Sequence, residues 1–143
     1  MRFMIMVRAT PDTEAAWFPE GEAKQQLFQS MADYHDELAK AGVLLDASGL
    51  QPSSKGWRIR YGAGAPKVID GPFAESKELI AGYTLIECRS REEALEWSRR
   101  FPNPMPERGP CEIEVRQLYE LEDLEAIAGP LDAVEQFRKL DLR

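Results

Sequence analysis

A chain of 143 residues with 43% apolar and 30% charged side chains is sized for one globular domain with its own core, and is too apolar to be disordered. Its formal net charge of −7 argues against nucleic acid and anionic membranes as partners, since a basic stripe would serve either. One histidine and two distant cysteines are too few for a zinc site, and no apolar run is long enough for a spanning helix.

The opening Met1-Arg-Phe-Met-Ile-Met-Val-Arg8 is too short for a signal peptide and has no small-residue cleavage site, so a cytosolic protein is expected. Phe3 to Val7 reads as a strand whose alternating sets, Phe3/Ile5/Val7 and Met4/Met6, are both apolar, as if both its faces were covered. Trp17-Phe18-Pro19 leads into a helix over Gly21 to Ala41, either stapling its start or folding over a cleft. Leu27, Met31, Tyr34, Leu38 and Ala41 recur on one side of that helix, and Gly42 stops it. Val43 to Ala47 follows as a strand. Trp57 to Tyr61 and Pro66 to Ile69 then read as hairpin arms around Gly62-Ala-Gly-Ala65, with Arg58 and Arg60 on the solvated side.

Leu79 to Cys88 is the next strand, with Gly82 marking a bulge or a close backbone approach. Ser90 and Glu93 have capping-box spacing and open a helix carrying Ala94, Trp97 and Phe101, which Pro102 ends. Four prolines between 102 and 110 predict an ordered, extended connection. Cys111, Ile113 and Val115 alternate with Glu112, Glu114 and Arg116 in a last strand, and both cysteines read as small buried apolar side chains. Leu121–Ala128 and Leu131–Leu140, separated by Gly129-Pro130, are amphipathic segments too short to stand alone.

The order strand-helix-strand, inserted hairpin, strand-helix-strand predicts an α+β, ferredoxin-like sheet with both helices on one face. The doubly apolar first strand, together with Tyr83 and Leu85 opposite Thr84, Ile86 and Cys88, would then leave apolar surface on the uncovered face, which predicts a homodimer closing sheet on sheet.

Polar chemistry is densest between Val68 and Tyr83. Asp70 immediately precedes Gly71-Pro72, so its backbone is tightly constrained. Its carboxylate either caps its own turn or serves as a general base beside a cleft. Glu75, Lys77 and Glu78 follow as a mixed-charge loop, solvated or gripping a substrate carboxylate through the lysine. His35 stands one step off the apolar stripe. It is either a boundary histidine or, with Asp70 as partner, a proton-transfer group. Ser53 and Ser54 show no neighbouring base in the sequence, which speaks against a nucleophilic serine, and Gly62-Ala-Gly-Ala65 lacks a phosphate-loop lysine.

Asp70-Gly-Pro-Phe73, continued by Ala74-Glu-Ser-Lys-Glu-Leu79 and Gly82-Tyr83, resembles the signature of the YCII-related family in its DGPF-domain branch. Ala41-Gly-Val-Leu-Leu45, Gly49-Leu-Gln-Pro-Ser-Ser54, Ile86-Glu87, Ser90-Arg-Glu-Glu-Ala94 and Glu96-Trp97 extend the likeness over residues 1 to 120, leaving 121 to 143 as a helical extension. The resemblance implies a ferredoxin-like domain forming a dimeric α/β barrel. It also implies either a histidine and an aspartate acting in a dimer cleft or, in some members of the branch, association with an extracytoplasmic-function sigma factor. In the short family members the histidine lies early on the first helix, nearest Met31 here, while His35 falls where the branch often carries asparagine.

The expectation is therefore a cytosolic homodimer that binds or transforms a small organic acid, without metal or organic cofactor. Asp70 and His35 would be its acid/base groups and Phe73, Glu75, Lys77, Glu78 and Tyr83 its ligand contacts. The alternative is a non-catalytic sensor or interaction module that uses the C-terminal helices.

Overall fold

In the computed structural model, which describes residues 1–129 and 132–140, β1 (Arg2–Arg8) lies inside the sheet rather than at its edge. It pairs antiparallel with β5 (Ile80–Glu87) on one side and β6 (Ile113–Gln117) on the other, and β5 pairs in turn with β2 (Leu44–Gly49). The resulting order β2-β5-β1-β6 is that of a ferredoxin-like α+β sheet. β3 (Trp57–Arg60) and β4 (Lys67–Asp70) form a separate two-stranded arm between β2 and β5.

Three further elements are α1 (Pro11–Glu14), α2 (Gly21–Lys40) and α3 (Arg91–Arg99). Tyr34 and Leu38 of α2 and Ala94 of α3 pack on Phe3, Ile5 and Ile86, so both long helices cover the same face of the sheet. Leu38, Ile5 and Ile86 are sealed completely, each worth roughly 1.5–3 kcal/mol of transfer free energy. Gly42 adopts φ 74° past the end of α2, which lets the Val43 N–H reach the Leu38 carbonyl at 3.1 Å and stop the helix. The stripe itself fades at its end: Ala41 is exposed.

At α3, Ser90 accepts the Glu93 N–H at 3.1 Å, but the Glu93 carboxylate takes the Arg89 N–H at 2.8 Å, one residue before its capping-box partner. Gly82 matches both readings of it. A Cβ there would meet the Ser48 carbonyl oxygen at 3.0 Å, and the β1–β5 register slips just beyond its partner Val7.

Two expectations need correction. Cys111 precedes β6, which begins only at Ile113, and is half-exposed, with its thiol reaching Asn103 Oδ1 at 3.1 Å. Cys88 is buried as expected. The face opposite the helices is also less bare than the sequence implies. Leu85 is buried between its register partners Met4 and Asp46, Met4 and Met6 are half-buried, and charges flank them: Arg8 with Glu114 at 3.0 Å, and Tyr83 O–H on Asp46 at 2.7 Å.

The C-terminal segments form α4 (Leu121–Ala128) and α5 (Asp132–Leu140). Pro130 and Leu131, expected at the break between them, and 141–143 lie outside the described residues. Among the described residues no helix is long and apolar enough to cross a membrane.

Candidate functional site

Beside the arm lies an open cleft of about 520 Å³, bordered by Glu14, Ser53, Lys55, Trp57, Arg58, Phe73 and Glu78. Its floor is built where two turns meet. A Cβ on Gly71 would stand 1.9 Å from the Ser53 carbonyl oxygen, so no other residue fits there without moving backbone. The Gly71 N–H donates to the Gly56 carbonyl at 3.0 Å, and the Gly71–Pro72 peptide is cis.

Ser53 joins three segments. Its backbone N–H donates to Glu14 Oε1 at 3.0 Å, its hydroxyl donates to Glu14 Oε2, and its oxygen accepts the Phe73 N–H at 3.0 Å. Glu14 ends the short helix α1, which Thr10 and Thr13 cap reciprocally. Ser53 therefore has a carboxylate beside it after all. With its hydrogen committed to Glu14 and a lone pair to Phe73, it serves as a clamp. Arg58 covers the Phe73 ring at 3.8 Å from the centroid, a cation–π contact on one wall.

The seven residues expected to form the site do not converge. Phe73 and Glu78 border the cleft. Asp70 ends β4 opposite Trp57, exposed, and the hydrogen bonds that fix its turn come from Gly71 and Phe73 rather than from its carboxylate. Glu75 and Lys77 are exposed on the following loop, where the Lys77 carbonyl accepts a bond from Arg8. Tyr83 is on the open sheet face, bonded to Asp46, whose acceptance of the phenolic hydrogen raises the tyrosine pKa.

His35 is elsewhere, on the helix-covered side. Its Nδ1 lies 2.7 Å from the Met31 carbonyl and its Nε2 2.8 Å from the Thr84 hydroxyl. A carbonyl only accepts, so Nδ1 carries a hydrogen, and in the neutral ring Nε2 then accepts from the Thr84 hydroxyl. Both ring nitrogens are thereby occupied, and the ring stacks edge-on against Tyr34 and Phe101. His35 and Asp70 share no hydrogen bond.

Beneath it, burial pushes the Tyr34 hydroxyl up to about 12, partly offset by Arg100; the hydroxyl donates to the Trp97 carbonyl at 2.7 Å. Burial likewise lifts the Cys88 thiol to about 11, with Glu93 adding to the effect. Among the described residues no three His, Cys, Asp or Glu side chains gather as a metal centre would require.

A family model of the YCII-related domain matches residues 1–122. The chain belongs to the YCII-related family. The chain is 30% identical over 119 residues to the uncharacterized protein R00369 of Rhizobium meliloti (strain 1021), covering 83% of this chain and 94% of that one. Among solved structures it is similar to 5-chloro-2-hydroxyhydroquinone dehydrochlorinase of Burkholderia phenoliruptrix AC1100, in complex with 2,5-dihydroxybenzoquinone. That likeness covers 83% of this chain and 94% of the other, at 12% identity and a TM-score of 0.43. The match to the family model stops near the start of α4, so α5 and most of α4 lie beyond it.

Glu14 and Ser53 are the site residues that sequence reasoning missed. They stand 39 positions apart, and only the fold joins them. A faint signal was present in Thr10-Pro11-Asp12: a cap, proline at the first helical position and an acid in the first turn.

Proposed function

We propose that this YCII-related chain belongs to the DGPF branch and works in the cytosol as a homodimer, closing the open sheet faces into a dimeric α/β barrel. It binds a small organic acid beside the Asp70 turn, and Asp70 takes or returns a proton during any turnover. Phe73 and Glu78 meet the ligand from the cleft, and Glu75 and Lys77 approach it from the loop above. Tyr83 would contribute from the dimer-facing side of the sheet.

One observation carries this reading. The turn is held rigid by contacts from Ser53 and Gly56, while the carboxylate it presents is left free for another partner. Carboxylates that only shape a turn spend their oxygens on it; preorganised but unspent polar groups suit a binding or proton-transfer role. His35, with both nitrogens occupied, would act only if its bond to Thr84 opened.

A panel of small carboxylic acids tested for thermal stabilisation of the full chain checks the proposal, because a ligand raises the melting temperature by mass action. An acid should stabilise the wild type, and Asp70→Asn should keep the ligand-free melting temperature while losing the response. Equal stabilisation of both proteins would remove Asp70 from the site. For the dimer, Met4→Glu with Met6→Glu should yield monomers in sedimentation, and an unchanged mass would refute sheet-on-sheet closure.

A second reading is a non-catalytic interaction module, with an extracytoplasmic-function sigma factor as partner. The observation favouring it is the exposure of Ile127, Phe137 and Leu140 on α4 and α5. Removing residues 121–143 would abolish binding on that reading, and Asp70→Asn would leave it intact.

A further inference from the structure

The two sides of the β3–β4 arm carry opposite chemistry. Register pairs Arg58 with Ile69 and Arg60 with Lys67, so Arg58, Arg60 and Lys67 stand on one side of the ribbon and Trp57, Ile59, Val68 and Asp70 on the other. Arg60 and Lys67 are directly opposite each other, a like-charge pair that the ribbon holds at a cost unless an anion lies nearby. Acids outnumber lysines and arginines 25 to 18 in this chain, and Arg2, Arg8, Arg100 and Arg108 each hold a carboxylate. The three cations of the arm form no ion pair among the described residues.

Arg58 brings this positive side into the cleft. Its guanidinium sits over the Phe73 ring, 3.8 Å from the centroid, and both residues border the cleft. The ring is itself anchored, because Ser53 accepts the Phe73 N–H and is held in turn by Glu14. A guanidinium resting on an anchored ring is held in place while its N–H groups stay unspent, the form in which arginine grips a carboxylate with two parallel bonds. Lys55 adds a second cation on the border, also without an ion pair among the described residues, and Leu50, Leu79 and Ile80 supply an apolar lining. Both Glu14 oxygens are engaged by Ser53, which leaves Glu78 as the uncommitted acid of the border.

We propose that Arg58 is the carboxylate anchor of this cleft, with Lys55 as a second cation, and that the ligand is a monocarboxylate with an apolar body. The body lies along Leu50, Leu79 and Ile80, and a second carboxylate on the ligand would meet Glu78, so diacids are disfavoured. Arg60 and Lys67 extend the positive row along the arm and steer an anion towards the anchor. The proposal rests on the reading that the cleft takes a small organic acid, and it assigns the acid group to Arg58 rather than to Lys77. Register sets Asp70 on the Trp57 side of the ribbon, so the anchor and Asp70 can be tested apart.

The test uses the full chain, ¹⁵N-labelled and titrated with hexanoate, acetate, hexanamide and adipate while the backbone amide signals are followed. Hexanoate should move the amides of Arg58, Phe73 and Glu78. Acetate has the charge without the apolar body and hexanamide the body without the charge, so each should bind at least about fivefold more weakly. Adipate, with its second carboxylate, should also bind more weakly than hexanoate. Hexanoate shifts confined to residues outside the cleft, no shifts at all, or equal affinity for hexanoate and any of the other three would overturn the proposal.

Substitution at the anchor completes the test. Arg58→Gln should raise the hexanoate dissociation constant about tenfold or more, and Arg58→Lys by less, since it keeps the charge and loses the fork. Arg58 is exposed, so the ligand-free melting temperatures of both variants should stay close to wild type. Lys55→Gln should weaken binding about threefold, and it keeps the proposal open to refutation should Arg58→Gln unfold. Unchanged hexanoate affinity in Arg58→Gln would overturn the anchor. If Asp70→Asn then abolished the response to acids, the small-acid reading would stand without it. A tenfold loss in Arg58→Gln with none in Asp70→Asn would uphold the anchor and remove Asp70 from the site.

Discussion

Between α2 and the sheet, Leu38, Ile5 and Ile86 are sealed from water and Tyr34, His35 and Thr84 have every polar atom engaged. Across the molecule, the turns at 53–56 and 71–73 border an open cleft and meet through Ser53, Glu14 and the backbone of Gly56, Gly71 and Phe73. The first region is stabilised by area, which many side chains share. The second is stabilised by position, through a few hydrogen bonds and one residue with no side chain. Loss of a methyl group should therefore matter in the first region, and gain of one in the second.

Leu38→Ala tests the sealed region and should show the largest effect. Removing a fully buried leucine side chain costs about 2–5 kcal/mol, and Tyr34 and Ile86 around it leave little room to collapse. Urea unfolding should register the whole loss, with the cleft turns retaining their native amide protection until global unfolding.

Gly71→Ala inverts the experiment. A Cβ placed 1.9 Å from a backbone oxygen cannot be absorbed by a flexible side chain, so the turn must open. A global cost of about 1–3 kcal/mol is expected, in the range of overpacked sites. The sharper readout is hydrogen exchange, where amides of Gly71 and Phe73 should lose protection while those of α2 keep it. Equal loss everywhere would mean that the two regions unfold as one cooperative unit, and the contrast would be wrong.

His35→Ala asks which region the histidine serves. It leaves the Thr84 hydroxyl buried without its acceptor, at a cost of about 1–2 kcal/mol. Thr84→Val removes the orphaned hydroxyl, so the double variant should be less destabilised than the sum of the single ones. Additive losses would show that the pair is not coupled and would return His35 to consideration as a chemical group.

The sealed region was legible in advance because its signals are local. The Leu27-Met31-Tyr34-Leu38 spacing, Gly42 and the Ser90/Glu93 pair each sit within one helix, and the two-sided apolar pattern of Phe3 to Val7 marks a central strand. The cleft was half legible. Asp70-Gly-Pro-Phe73 announced a constrained turn, but its clamp comes from Glu14 and Ser53, and no periodicity links residues so far apart. The sequence placed His35 at the border of the core but could not name its partner, for the same reason: Thr84 is 49 positions away on β5. The arm's alternation reads as a ribbon, which it is, yet alternation does not say which side will be covered, and Trp57, Ile59 and Val68 are all exposed.

Alkaline pH offers the gentlest probe of the same contrast, because the two groups whose protons the fold holds hardest, Cys88 and Tyr34, both lie in the sealed region. Burial raises Cys88 from 9.0 to about 11 and Tyr34 from 10.0 to about 12. Both are neutral when protonated, so above pH 9 the unfolded chain releases its protons first while the native state keeps them. Stability contributed by these groups is complete below pH 9 and declines through the window up to about 12, since the native state binds more protons there. Urea midpoints should fall steadily between pH 9 and 11. Cys88→Ala should flatten the lower part of that fall and Tyr34→Phe the upper part, each measured against its own midpoint at pH 8. A midpoint that stayed level from pH 8 to 11 would mean that water reaches these groups, and that the helix-covered side is no better sealed than the cleft.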